Sequence, residues 1–127
     1  MNVRHALALA ILFIAHRSAL AQSPTHSPEL AARADSLAAL DPAHEFRLAL
    51  QRHDLRFVAV CGYACFPPLD TATAPWSDLD LTNRVTVPGT SDEIANDDVA
   101  RLNSVAHAYA LRYNRLLVAY LRQHRRP

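Results

Sequence analysis

Lysine is absent from this 127-residue chain, whose 13 basic residues are all arginine. Glycine is almost absent as well. With only Gly62 and Gly89 present, neither a Walker-type nor a dinucleotide-binding glycine loop can be drawn, which excludes nucleotide chemistry of those kinds. The two cysteines, Cys61 and Cys65, stand without a second pair and without a C-x-x-C-H run, so neither a structural zinc site nor covalent haem is supported. No serine lies in a G-x-S-x-G elbow, and His44-Glu45 does not extend to H-E-x-x-H, so the common hydrolase signatures are missing and no catalytic residue is assigned.

Long apolar runs are missing too. The longest at the start, Ala6 to Ala15, is interrupted by His16-Arg17, well short of the roughly 20 apolar residues that a membrane span needs. Preceded by Arg4-His5 and followed by Ala19-Leu20-Ala21, it reads instead as a signal peptide over residues 1–21, cleaved before Gln22. The mature protein then has 106 residues: a flexible leader, 22–27, and a single small α+β domain, 28–127. Its 11 arginines against 12 acids give a formal charge of −1, which supplies no drive toward nucleic acid or anionic membrane. The expectation is an exported protein, periplasmic or secreted, with no cofactor and no membrane span after cleavage.

Helix signals open the mature chain. Ser27 precedes Pro28-Glu29, and Asp41 precedes Pro42, each a cap followed by proline at the first helical position. Two short helices are predicted, one carrying Leu30, Ala34, Leu37 and Leu40, the other running over about residues 42 to 53 with Phe46 and Leu50 inward. A corner between them is expected at Leu40-Asp41, because the residue before a proline is pushed out of the α region.

From Leu55 the period changes. Phe57, Ala59, Cys61, Tyr63 and Cys65 fall on one side of an extended chain and Val58, Val60, Gly62, Ala64 and Phe66 on the other. The alternation favours an apolar strand, ended by Pro67-Pro68. Fully extended, it would hold the two cysteine Cα atoms roughly 13 Å apart, beyond the about 7 Å limit of a disulfide. A bend at Gly62 would instead permit a Cys61–Cys65 bridge, which export favours. A third reading is a metal pair. C-x3-C before proline resembles the copper(I) site of thioredoxin-like copper chaperones, and that resemblance implies thiolate ligands completed by a histidine such as His44, His53 or His107. It covers five residues, and the alternating strands and helices of that fold are not evident in the chain.

Residues 69–83, "LDTATAPWSDLDLTN", read as a long loop, either a binding loop or one hiding a turn of helix, with Trp76 as a candidate aromatic anchor for a partner. Arg84 to Val87 is a candidate short strand, with a turn at Pro88-Gly89. Thr90 with Glu93, then Asn96 with Asp97-Asp98, mark helix starts. Val99, Leu102, Ala106, Tyr109, Tyr113, Leu116 and Tyr120 then form a seam, widened by Ala110, Leu117 and Leu121, on a helix of some 25 residues, expected to cover the strand and first helices rather than to serve as a dimer face. No acid follows Asp98, while arginines crowd the end, where they complement the helix dipole and are either solvated or free to touch an acidic partner. Asn103 and Asn114, near the seam, are candidates to bond the Thr90-Ser91 turn. His53-Asp54 is a candidate base and carboxylate, weighed against an ordinary solvated helix end.

The stretch Pro88 to Asp92, with Arg101-Leu102-Asn103 and Arg112-Tyr113-Asn114, resembles small uncharacterised exported bacterial proteins in which a P-G-T-S-D turn precedes an R-L-N and R-Y-N helix. The likeness spans about a quarter of the chain and implies export, with no activity attached. The expected function is a non-catalytic exported domain that binds an unknown protein or envelope component. The alternative is copper(I) or redox handling through Cys61 and Cys65.

Overall fold

A computed structural model describes residues 27–62, 64–89 and 97–125. In chain order they form α1 (Pro28–Ala38), α2 (Pro42–Gln51), β1 (Phe57–Cys61), β2 (Cys65–Phe66), a 3₁₀ turn (Thr71–Thr73), β3 (Arg84–Pro88) and α3 (Asp97–Gln123). Two short helices, a small sheet and a long closing helix make a mixed α+β fold. The expected signal segment, Tyr63, the expected Thr90–Glu93 capping box, Asn96 and the expected Thr90-Ser91 turn lie outside the described residues.

The helix starts follow the capping chemistry. Ser27 Oγ accepts from the Leu30 N–H at 3.4 Å, and Asp41 Oδ1 from the Ala43 N–H at 3.1 Å, with Pro28 and Pro42 needing no partner for a missing donor. The Ser27 N–H in turn donates to Asp98 Oδ2 at 2.7 Å, tying the start of α1 to the first turn of α3. Helix α2 ends two residues earlier than its apolar pattern suggests. His53 adopts a left-handed conformation (φ 54°), with its N–H on the Leu50 carbonyl at 3.2 Å and that of Asp54 on the Ala49 carbonyl at 3.0 Å. These two bonds are a Schellman cap, in which glycine is the usual residue at the left-handed position.

The sheet order is β2-β1-β3, with β1 antiparallel to β2 and parallel to β3. Of the single strand and the hairpin left open for residues 57–65, the structure shows the hairpin. Strand β1 stops at Cys61, the Gly62 N–H reaches back to the Ala64 carbonyl at 3.3 Å, and Cys65 returns directly opposite Cys61. Alternation alone cannot distinguish one long strand from two short ones joined by a tight turn.

Helix α3 lies across α1, α2 and β1 and buries Val99, Leu102, Ala106, Ala110, Tyr113, Asn114, Leu117 and Val118. The expected seam drifts. Its steps average 3.5 residues, whereas a straight helix turns every 3.6, so the buried stripe moves onto the widening positions Ala110 and Leu117, takes in Val118 and leaves Leu116 exposed at the surface. Tyr109 and Tyr120 remain half-buried flanks of the core, and the Phe46 ring meets Tyr113 edge-on at 5.7 Å.

One buried polar residue joins helix to sheet. Asn114, fully buried, accepts from the Val58 N–H at 2.8 Å and donates through Nδ2 to the carbonyls of Val58 and Pro68, each at 2.9 Å. Two residues along from the Val60↔Phe66 pairing, Val58 stands opposite Pro68, where the ladder's next bonded pair would form. Pro68 has no N–H to give. The carboxamide supplies the missing donor and acceptor from the side. Among the described residues the Asn114 carboxamide thus bonds β1 and Pro68, and the Thr90-Ser91 turn expected as its partner lies outside them.

Candidate functional site

The residues singled out in the sequence fall in three places. Cys61 and Cys65 form a disulfide with Cα atoms 4.1 Å apart, so both thiols are consumed in a bond that joins β1 to β2. Cys65 is exposed and Cys61 half-buried. Among the described residues no three His, Cys, Asp or Glu side chains converge as a metal-binding group. A copper(I) site would thus require the bond to be reduced and a third ligand to be brought in.

The second place is the loop that returns from β2 to β3. It hides a turn of 3₁₀ helix at Thr71–Thr73, started by Asp70 Oδ1 accepting from the Ala72 N–H at 2.9 Å. Ala74-Pro75 is a cis peptide bond, and Trp76 folds back so that its Nε1–H donates to Thr73 Oγ1 at 3.2 Å. Trp76 then shares an apolar groove of about 360 Å³ with Phe66, Pro67, Pro68, Leu69, Leu81 and His107. Phe66 is 56% exposed, the most open of the large apolar side chains.

Arginines of α3, and Arg125 just beyond its end, hold this loop in place. Arg115 pairs with Asp70 and Arg125 with Asp78, while Arg122 donates to the Pro75 carbonyl at 2.7 Å and Arg125 to the Asp78 carbonyl at 3.0 Å. Asp80 closes the loop's far end by accepting from Thr82 Oγ1 at 2.5 Å and from the Thr82 N–H at 3.1 Å. All three carboxyls sit below the usual carboxylate range. For Asp70 the chief cause is the bond from the Ala72 amide, with Arg115 adding to it. Desolvation acts upward on Asp78, but its own backbone amide, Arg125 and Arg122 together outweigh it. Asp80 is held down by the Thr82 hydroxyl and amide.

Sequence reasoning singled out Trp76 and missed Phe66 and the three loop carboxylates. A signal was available. A helix end rich in arginine and free of acids must find its counter-charges elsewhere, and the 69–83 loop is where the acids cluster.

The third place is the end of β3. Pro88 closes that strand opposite Cys61, and Gly89 follows it. A Cβ at Gly89 would stand 2.6 Å from the Cys61 carbonyl oxygen and 3.3 Å from Asn103 Oδ1, so only glycine lets the chain pass between β1 and α3. These residues build the fold around the site.

Among the described residues the histidines do not gather. His53 is the left-handed helix cap described above, and the Asp54 carboxylate makes a two-pronged bond to Arg56, with both contacts at 2.8 Å, which lowers its pKa. His44 and His107 are exposed on separate helices. A hollow of about 290 Å³ with a mixed polar and apolar lining lies between α2, β3 and α3, where burial, with Glu45 and Tyr113 nearby, pushes the Tyr109 hydroxyl up to about 12. A phenol so raised stays protonated and serves as a hydrogen-bond donor. No protein-family model matches this chain, and no curated protein or solved structure matches it at a significant level.

Proposed function

We propose that this chain is a small exported binding domain, non-catalytic, which receives apolar side chains of a protein or cell-envelope component in the Phe66–Trp76 groove. The observation that carries the reading is the 56% exposure of Phe66 at the rim of an apolar groove. An aromatic ring left open to water is poorly placed for stability and well placed as an anchor. Its surroundings are braced on both sides, by the Cys61–Cys65 bond next to Phe66 and by the arginine–aspartate ties beyond Trp76, so that binding orders little further chain. The basic start, apolar run and Ala19-Leu20-Ala21 site support export, and the resemblance of residues 87–121 to small exported bacterial proteins points the same way.

The test is capture of envelope proteins by the wild type, by Phe66→Ser and by Trp76→Ala, with thermal stability measured in parallel. Loss of one specific partner in both variants at an unchanged melting temperature is expected; full capture by both would end the reading.

One observation favours the alternative. Cys65 is exposed, so its disulfide is open to attack by thiols, and the reduced pair offers two soft ligands. Copper(I) titration of the reduced protein and of Cys61→Ser decides it: stoichiometric binding lost in the variant supports copper handling, and no binding by the reduced wild type ends it.

A further inference from the structure

The edge of the sheet opposite to β2 is open. The Asn83 carbonyl accepts from the Phe57 N–H at 2.9 Å, and Phe57 stands beside Arg84 in the parallel register. Successive residues of a strand turn their N–H and C=O groups to opposite edges. Asn83, Val85 and Val87 therefore face β1, while Arg84, Thr86 and Pro88 turn theirs outward. Among the described residues nothing bonds the outward groups of Arg84 and Thr86. Arg84, Val85 and Thr86 are all exposed, and natural proteins seldom leave such an edge bare.

We infer that β3 pairs antiparallel with β3 of a second copy of this chain, making a two-fold dimer with one continuous six-stranded sheet. The edge is self-complementary in a restricted way. With the axis at Thr86, that residue exchanges two bonds with the partner's Thr86, and each Arg84 N–H meets the partner's Pro88 carbonyl. With the axis at Val85, Arg84 and Thr86 exchange bonds with the partner's Thr86 and Arg84. Each of these registers makes four main-chain bonds. An axis at Arg84 sets two guanidinium side chains against each other, and one beyond Thr86 runs out of donors at Pro88.

The side chains agree with the backbone. Val85, 39% exposed, falls opposite the partner's Val85 or the partner's Val87 in the two registers. Beside the same edge, Leu37, Leu40 and Val87 border an apolar hollow of about 540 Å³, and Leu40 is 43% exposed. Among the described residues Val85 and Leu40 are two of the four large apolar side chains left exposed, and a second copy seated on β3 covers that side of the sheet. The dimer is independent of the Phe66–Trp76 groove, which begins at the other edge of the sheet.

The experiment is sedimentation velocity over a concentration series, with amide exchange followed residue by residue. Protection of the Arg84 and Thr86 amides is expected to rise with concentration in step with the dimer. Thr86→Pro removes an outward donor without touching the β1 ladder, and Val85→Lys places a charge on each side of the axis. Either variant should weaken the dimer about tenfold or more, and Val85→Lys keeps the test decisive if proline disturbs folding. A wild type that stays monomeric up to about 1 mM, or a dimer unaffected by a folded variant, overturns the inference.

Discussion

The carboxamide of Asn114 holds both backbone groups of Val58, accepting its N–H at 2.8 Å and donating to its carbonyl at 2.9 Å. A third bond, to the Pro68 carbonyl, makes this one side chain the join between α3, the central strand and the segment leading to the groove. Asn114→Leu keeps a similar volume but strands one buried donor and two buried acceptors. At about 1–3 kcal/mol for each unsatisfied group, a loss of at least 3 kcal/mol is expected in denaturant unfolding. A loss below about 1 kcal/mol would mean that water or a backbone shift replaces the carboxamide.

Gly89 is a second fixed point, for steric rather than polar reasons. Alanine there would set its Cβ 2.6 Å from the Cys61 carbonyl and 3.1 Å from Val60 Cγ1, with neither the backbone oxygen nor the packed valine free to yield. Gly89→Ala should destabilise by about 1–3 kcal/mol, as overpacking does, and should shift the amide resonances of Val60 and Cys61 before those of α1. Unchanged stability would show that β3 and β1 separate easily at this end.

His53 offers the opposite kind of substitution. It closes α2 with a positive φ that a side chain tolerates poorly, and it makes no recorded side-chain bond. His53→Gly should raise stability by several tenths of a kcal/mol up to about 1 kcal/mol. A destabilised variant would mean that the imidazole contributes packing that outweighs its backbone strain.

What could be read from the sequence, and what could not, follows from the range of the interactions. Helix starts at Ser27-Pro28 and Asp41-Pro42 were legible because capping is settled within three residues, and α3 because its apolar period runs on for some 25. Leu116 was misplaced because a 3.5-residue repeat and a 3.6-residue helix part company over three heptads. The groove was half legible. Trp76 stands out as the single tryptophan, but Phe66 looked like core until the turn at 62–64 placed it at a sheet edge. Asn114 was visible as a polar residue on an apolar seam, yet its partners lie 56 and 46 positions away, and no local rule names them.

The disulfide is checked by intact mass without reductant after alkylation: the protein should fall two hydrogen masses below its reduced form and take up no label. Because it closes only the short Cys61–Cys65 loop, its removal should cost about 2 kcal/mol on the chain-entropy view. Cys61→Ser/Cys65→Ser should remain folded, with its largest chemical-shift changes at Phe66 and the groove. Two free thiols in the purified protein would return the pair to the reduced state that the copper reading requires.

Acid should release the groove loop before it unfolds the core. Asp70, Asp78 and Asp80 are all held below the ordinary carboxylate value in the folded protein. Their contribution is complete above the unfolded value of about 3.9 and drains away as the pH falls through the lower folded values. Trp76 lies between the Asp70 and Asp78 ties and is the single tryptophan, so its fluorescence reports the loop directly. The emission should be flat from pH 7 down to about 5 and should change below about 4, while the far-ultraviolet signal of α3 persists further into acid. Arg125→Gln, which removes one of the arginines facing Asp78, should move the Trp76 transition to higher pH. A transition that stays at the same pH in that variant would show that the arginine–aspartate ties do not hold the loop.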